Sequence, residues 1–284
     1  MIVAETIAKI DELLVNESNK GKKIGFVPTM GALHEGHLSL IRQAFAENDV
    51  VVASIFVNPI QFNNPDDLQQ YPRTFEADCA LLQSAGCHFL FYPSVAEMYP
   101  EPVTKVYDFG QLDKVMEGEH RPGHFNGVAV VVHKLFEIVK PTKAYFGLKD
   151  FQQLAIVQQL VINEAIPVQI VPCPIVREHD GLAMSSRNVR LGANERAIAP
   201  FIYQTLKQAV ELSANTSVEA VKQYVYNAFS KQEAFNLEYF SIVDGVTLQD
   251  VSTFETNKFT VGCIAVHLGG VRLIDNIVFR LAVS

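Results

Sequence analysis

The chain has 284 residues, a formal net charge of −8, 49% hydrophobic residues and 19% charged residues. This is ordinary globular composition with length for one or two domains of roughly 100–200 residues, and it excludes disorder and an overall basic nucleic-acid binder. No run approaches the about 18 consecutive apolar residues of a membrane span, and the start MIVAETIAKIDELL lacks the basic and apolar regions of a signal peptide.

That start predicts an amphipathic helix with Ile2, Ile7, Ile10 and Leu14 on one side. Lys23–Val27 reads as a strand. Val50–Val57 reads as a second, buried on both faces because it lacks polar alternation. Phe89–Tyr92, Ala144–Phe146 and Val168–Val171 are further strands, and helical periodicity runs through Leu38–Glu47, Phe75–Ser84, Val128–Val139 and Phe151–Glu164. Alternating β and α elements predict a parallel sheet with helices on both faces, which binds ligands beyond the carboxyl ends of its strands. After about Arg190 the grammar changes. Glu195–Leu212 and Val218–Lys231 read as helices, then Leu237–Val243, Phe259–Leu268 and Val271–Val278 as strands. The expectation is an α/β domain over residues 1–186 and a smaller C-terminal α+β domain over 187–284. Cys79, Cys87, Cys173 and Cys263 form no C-x-x-C pair and read as reduced thiols of a cytoplasmic protein.

The strongest local signal is PTMGALHEGH (28–37), lying between the first strand and the helix at Leu38. Gly31 and Gly36 allow close backbone approach to a ligand. A helix N-terminus offers unpaired N–H groups and partial positive charge to phosphate. His34 and His37, three residues apart, can share one face of a helical turn and stabilise charge on a leaving phosphate. A zinc pair is the competing reading, but the spacing is one short of H-E-x-x-H and no third ligand is evident. The second signal is VREHDGLAMSSRN (176–188), in which Ser185, Ser186 and Arg187 gather two hydroxyls and a guanidinium in a loop.

H-x-G-H with a C-terminal M-S-S-R loop resembles the nucleotidyltransferase superfamily that includes class I aminoacyl-tRNA synthetases. PTMGALHEGHLSLI (28–41), FVNPIQF (56–62), YPRT (71–74), RPGHFNGV (121–128), FGLKDFQQL (146–154) and VREHDGLAMSSRN (176–188) are similar, in order, to one family within it, the pantoate–β-alanine ligases. The resemblance implies a Rossmann-like fold with a C-terminal lid. It implies condensation of (R)-pantoate with β-alanine, through pantoyl adenylate, with ATP as co-substrate and Mg²⁺ as cofactor, releasing AMP and pyrophosphate. It also implies a homodimer, while the acidic composition and the lack of a spanning run lead to the expectation of no nucleic-acid or membrane partner.

The resemblance assigns nucleotide contacts to Thr29, Met30, Gly31, Ala32, Leu33, His34, Glu35, Gly36 and His37. It adds Gly147, Leu148, Lys149, Asp150, Val176, Met184, Ser185, Ser186 and Arg187. Chemistry is expected of His34, His37, Lys149, Ser185, Ser186 and Arg187. Leu148 stands where the family often has Glu, so a backbone contact is what the resemblance leaves there. Asp150 is also a plausible N-cap. Gln61, Gln153, Arg121 and His124 are expected at the substrates. Gln152 and Gln153 are adjacent and cannot both face one site. His120 and His124 are at i,i+4, but Pro122 and Gly123 disfavour a continuous helix between them. A structural turn is the alternative for Arg121–His124. Asp78 is the candidate Mg²⁺ ligand, with a solvated helix face as its alternative.

An acyl adenylate hydrolyses in water, so closure of the C-terminal domain or of the Met184–Arg187 loop is expected. Competing functions are an adenylyltransferase that stops at AMP transfer and a silent nucleotide binder.

Overall fold

The computed structural model describes residues 1–255 and 258–281. In chain order the elements are β1 (Ile2–Ala4), α1 (Ile7–Ser18), β2 (Ile24–Thr29), α2 (Glu35–Glu47), β3 (Val50–Ile55), α3 (Pro65–Gln70), α4 (Phe75–Ser84), β4 (Phe89–Phe91), α5 (Val95–Met98), α6 (Glu117–His120), α7 (His124–Val139), β5 (Lys143–Gly147), α8 (Phe151–Asn163) and β6 (Gln169–Cys173). Then follow α9 (Ala193–Ile198), α10 (Phe201–Leu212), α11 (Val218–Ser230), β7 (Phe235–Asp244), β8 (Thr260–Leu268) and β9 (Val271–Arg280).

Two compact units result. The first comprises Met1–Phe109, Arg121–Leu148 and Gln153–Pro174; the second comprises Gly110–His120, Lys149–Gln152 and Ile175–Ser284. The main division thus falls at Pro174/Ile175, where the sequence reading placed it after residue 186.

The first unit is built on a six-stranded parallel sheet of order β1-β4-β3-β2-β5-β6. All six residues of β3 are buried, as its lack of polar alternation predicts. Leu38, Ile41 and Ala44 of α2 and Leu82 of α4 pack with Val27, Val51, Ala53 and Tyr145. Phe26 in β2 meets Phe136 of α7 edge-on at 6.4 Å between centroids. From β2 the chain continues outward through β3 to β4, while β5 and β6 extend the sheet from the other flank of β2. The strand order therefore reverses beside β2, the position at which open α/β sheets hold ligands beyond their strand ends.

The N-terminus departs from expectation. Ile2 belongs to β1, paired in parallel with β4, and is exposed. The helix begins only at Ile7, where Thr6 caps it by accepting from Lys9 N at 3.2 Å. Ile10 and Leu14 are buried as anticipated.

The second unit holds the antiparallel sheet β7-β8-β9. Its core gathers Leu206, Val221, Val225, Phe229, Ile242, Ile264, Val266 and Leu273. The single helix expected over Glu195–Leu212 is divided, because Pro200 lacks the N–H that a continuous helix needs and instead opens α10. The inclusion of residues 110–120 has a polar cause. Glu117 is buried and takes both Arg272 guanidinium nitrogens, each at 2.7 Å, together with the Tyr239 hydroxyl at 2.8 Å. Gln152 accepts from Glu117 N at 2.9 Å and donates to the carbonyls of Leu112 and Val115 at 2.7 and 2.8 Å. Such polar ties leave no periodicity for a sequence reading to find.

Arg272 also pairs with Glu238, whose other oxygen lies 3.1 Å from His267 Nε2. Burial alone would raise the Glu238 carboxyl, but the bonds from Arg272 and His267 outweigh it and hold it below the ordinary range. Its stabilisation is therefore present above the ordinary Glu value of about 4.3 and is lost as pH falls through the lower folded value. Thermal melts should show the wild type losing more Tm than Glu238→Gln between about pH 5 and pH 3; parallel losses would contradict the assignment.

Candidate functional site

The loop from β2 to α2 starts with a conformation that glycine favours. Gly31 has φ +82°, and a Cβ there would lie 3.0 Å from Ile55 Cγ2 and 3.1 Å from Asp78 Oδ2. Ala32 follows at φ +50°, a region L-residues seldom occupy. Asp78 of α4 holds it there. Its two carboxylate oxygens accept from Ala32 N at 2.9 Å and Leu33 N at 2.8 Å, and one also accepts from Thr74 Oγ1 at 3.2 Å. Thr29 closes the other side, donating to Ser54 O at 2.7 Å and accepting from Gly31 N at 3.2 Å.

The loop delivers His34 as the N-cap of α2. His34 Nδ1 accepts from Gly36 N at 3.2 Å, and His37 Nδ1 accepts from His34 N at 3.3 Å. The two imidazoles form a reciprocal cap, a task usually given to Ser/Thr with Glu. Their centroids are 4.1 Å apart. A backbone N–H can only donate, so each Nδ1 must carry a lone pair, and in the neutral ring the proton sits on Nε2. Two Nε2–H donors therefore stand beside a helix N-terminus, at the sheet position where ligands bind. The Glu35 side chain turns elsewhere: it pairs with Arg42, whose guanidinium holds its carboxyl below the usual range.

A second cluster in the same unit surrounds Gln61, in a 3-10 turn over Pro59–Gln61. Asn58, 1% exposed, donates from Nδ2 to Gly127 O at 3.0 Å. That carbonyl can only accept, which fixes the orientation of the Asn58 amide. Its Oδ1 then takes the Tyr99 hydroxyl at 2.9 Å, and the Gln61 atom 2.9 Å from Nδ2 must be Oε1. Gln61 is left with Nε2 as its donor, and it donates to Met30 Sδ at 3.1 Å. His124, the first residue of α7, has Nδ1 2.8 Å from the Gln61 carbonyl, so its ring supports this turn. Gly127 permits the approach, since a Cβ would lie 2.6 Å from Ile60 O. Arg121 is half-buried and its carbonyl accepts from His124 N at 3.0 Å. Gly123, with φ +82°, separates α6 from α7, so His120 and His124 share no helix. Gln153 is half-buried in the first turn of α8.

In the second unit Lys149 and Ser185 line one small cleft, with Leu182, Ala183, Asn188 and Asp275. Residues 176–184 fold back on themselves: Arg177 bridges Ala183, and Met184 N donates to Val176 O at 3.0 Å. The expected Ser185–Arg187 loop is a 3-10 turn over Ser186–Arg190. Ser185 caps it, accepting from Arg187 N at 3.3 Å. Gly147 ends β5, and Leu148, Lys149 and Asp150 form a 3-10 turn running into α8, with Asp150 exposed.

The two Asp78 oxygens hold the loop, so the residue has a structural task beside the metal role expected of it. It is not a solvated helix face, since only 2% of it is exposed. The sequence reading missed Asn58 and Tyr99 as the residues that orient Gln61. Asn58 lies inside the FVNPIQF string, whereas Tyr99 carries no local signal. The clamp is testable. Hydrogen bonds to a charged group contribute about 1.5–3 kcal/mol, so Asp78→Ala should lose about 3 kcal/mol in urea unfolding and Asp78→Asn less; an unchanged midpoint for Asp78→Ala would contradict it.

A family model described as pantoate-beta-alanine ligase matches residues 2–278. The pantothenate synthetase of Porphyromonas gingivalis (strain W83) is 54% identical over 280 residues, covering 99% of this chain and 100% of that protein. That of Phocaeicola vulgatus is 53% identical over 281 residues, with 99% and 100% covered. The crystal structure of pantothenate synthetase from Thermus thermophilus superposes with a TM-score of 0.93 at 43% identity, covering 99% of this chain and 100% of that one. The pantoate-beta-alanine ligase of Francisella tularensis, complexed with beta-gamma ATP and beta-alanine, gives 0.83 at 38% identity, with 98% of each chain covered. These likenesses show that the chain belongs to the pantoate–β-alanine ligase family.

Proposed function

We propose that this enzyme activates the carboxylate of (R)-pantoate with ATP and passes the pantoyl group to β-alanine. The reciprocal His34–His37 cap carries the reading. It presents two Nε2–H donors at a helix N-terminus, in a family one of whose members is complexed with beta-gamma ATP and beta-alanine.

A carboxylate is a poor acyl donor because its leaving group would be oxide. A pantoate carboxylate oxygen attacks the α-phosphorus of ATP, the bond to the β-phosphate oxygen breaks, and pyrophosphate departs. The acyl carbon of the resulting pantoyl adenylate is then attacked by the β-alanine amine. The amine loses a proton, AMP leaves, and pantothenate forms. In the first step the enzyme must align carboxylate and phosphorus and meet the charge that grows on pyrophosphate.

In this reading His34 and His37 donate to the phosphate oxygens, and the backbone of Thr29–Gly36 walls the nucleotide. Lys149, Ser185, Ser186 and Arg187 supply cationic and hydroxyl partners, with Gly147–Asp150, Val176 and Met184 beside the nucleotide. Gln61, whose acceptor is consumed by Asn58, donates to pantoate, and Gln153 is its second amide partner. Gln152 is excluded because its side chain binds Glu117, Leu112 and Val115. Arg121 is assigned to the substrate side, near pantoate and pyrophosphate, and His124 acts through Gln61. The same reading makes the protein a cytoplasmic homodimer that takes ATP with Mg²⁺. Asp78 is the carboxylate that would hold the metal beside the phosphates, and no step is assigned to the metal.

The test is AMP, pyrophosphate and pantothenate formation from ATP with both substrates, then with each omitted. AMP release requiring both, in equal amount to pantothenate, with pyrophosphate–ATP exchange on pantoate alone, is the expected result. AMP transfer without β-alanine consumption would turn the reading to an adenylyltransferase. His37→Ala should lower kcat about 10²-fold, the loss typical of one donor to developing charge; activity within twofold of wild type would remove His37 from the chemistry.

A further inference from the structure

Strand β9 carries two adjacent polar residues, Asp275 and Asn276, that are 4% and 5% exposed. Polar groups are retained at such depth only when fully bonded, and here their partners are segments far away in the sequence. Asp275 Oδ2 accepts from Arg177 Nη1 at 2.6 Å; its Oδ1 accepts from Arg177 Nη2 at 2.9 Å and from Asn276 N at 2.8 Å. Arg177 further donates to Gly181 O at 3.2 Å and Asn276 O at 3.3 Å, and its guanidinium lies 3.7 Å above the Tyr203 ring centroid. Arg177 is thereby fixed on every side, and the fold-back it opens leads directly into Ser185. The Asn276 side chain reaches the other way: Nδ2 donates to Lys149 O at 3.0 Å.

We propose that Asn276, backed by the buried Arg177–Asp275 pair, is a positioning residue that holds Lys149 in register with the Ser185–Arg187 turn. The proposal rests on the reading that these groups bind ATP. Two adjacent residues of one strand bind both segments, so neither segment shifts without the other. Stability alone is a weak reason for the arrangement. A buried ion pair is often matched or bettered by apolar residues of similar volume, whereas fixing geometry is a use that apolar residues do not serve as well. The Asn276 bond is directional and meets a backbone carbonyl, so it sets where the Lys149 side chain starts. Asn276 itself touches no reacting atom.

The test is a double-mutant cycle on the full chain with Asn276→Ala and Lys149→Ala. Its readouts are kcat/KM for ATP, KM for β-alanine and the Kd of a non-hydrolysable ATP analogue. Asn276→Ala should lower kcat/KM for ATP about tenfold, as expected for loss of one buried bond that orients a transition-state partner, and leave KM for β-alanine within about twofold. In the Lys149→Ala background the same change should cost nothing further, because residues acting as one unit are non-additive. Losses that multiply would overturn the proposal while leaving Lys149 at ATP. Lys149→Ala with wild-type kinetics and analogue affinity would instead overturn the reading of Lys149, and the positioning role with it. Asn276→Leu keeps the branched shape without the donor or a new charge and should reproduce Asn276→Ala, which separates positioning from packing if the alanine variant folds poorly. An Asn276→Leu variant with wild-type kinetics would overturn the proposal.

Discussion

The site in the parallel-sheet unit depends on one carboxylate facing two backbone amides. Asp78 comes from α4, yet its oxygens hold Ala32 and Leu33 in the loop between β2 and α2. Without that acceptor, the left-handed Ala32 would leave two N–H groups without a partner at the very point where the chain turns into the helix. With it, α2 starts at a set place, and its first turn can be capped by its own histidines. The cap decides which imidazole nitrogen holds the proton. A structural constraint thus becomes a chemical one: the bonds that terminate the helix also leave the proton of each neutral ring on Nε2.

The second unit uses buried polar contacts in a different way. Arg272 gathers Glu117 and Glu238, while Asp275 and Asn276 gather Arg177 and Lys149. Arg272, Glu238, Asp275 and Asn276 all fall within one sheet, on β7 and β9. The sheet therefore organises segments drawn from three parts of the chain, which explains why residues 110–120 and 149–152 join Ile175–Ser284 as one compact unit.

Much of the fold was legible because it rests on apolar periodicity. Val50–Val57 reads as a strand buried on both faces and Val50–Ile55 forms one, while Phe75–Ser84 forms a helix over the span its pattern marks. Two misreadings have simple causes. Ile2 lies at helical spacing from Ile10 but sits in a three-residue edge strand, too short for any period to show. Glu195–Leu212 keeps its apolar stripe across Pro200, so the pattern continues where the hydrogen bonds cannot. In the site, His34 and His37 were legible because a strand, a glycine turn and a helix meet around them. Asp78 was noticed, but its geometry was not. A carboxylate that binds two amides 45 and 46 residues away looks, in sequence, like one that binds a metal or faces water. Asn58, Tyr99 and Asn276 act through single long-range bonds, and such bonds leave no trace in spacing.

The proposed chemistry of the site depends on the protonation pattern of the histidine pair. Nitrogen-15 NMR of protein labelled at histidine, assigned with His34 and His37 variants, reads it directly at a pH where both rings are neutral. The structure predicts an unprotonated Nδ1 and a protonated Nε2 in both rings before any nucleotide is added. A proton on Nδ1 of either ring, or rapid averaging between the two tautomers, would contradict the claim that the helix cap prepares two donors for phosphate.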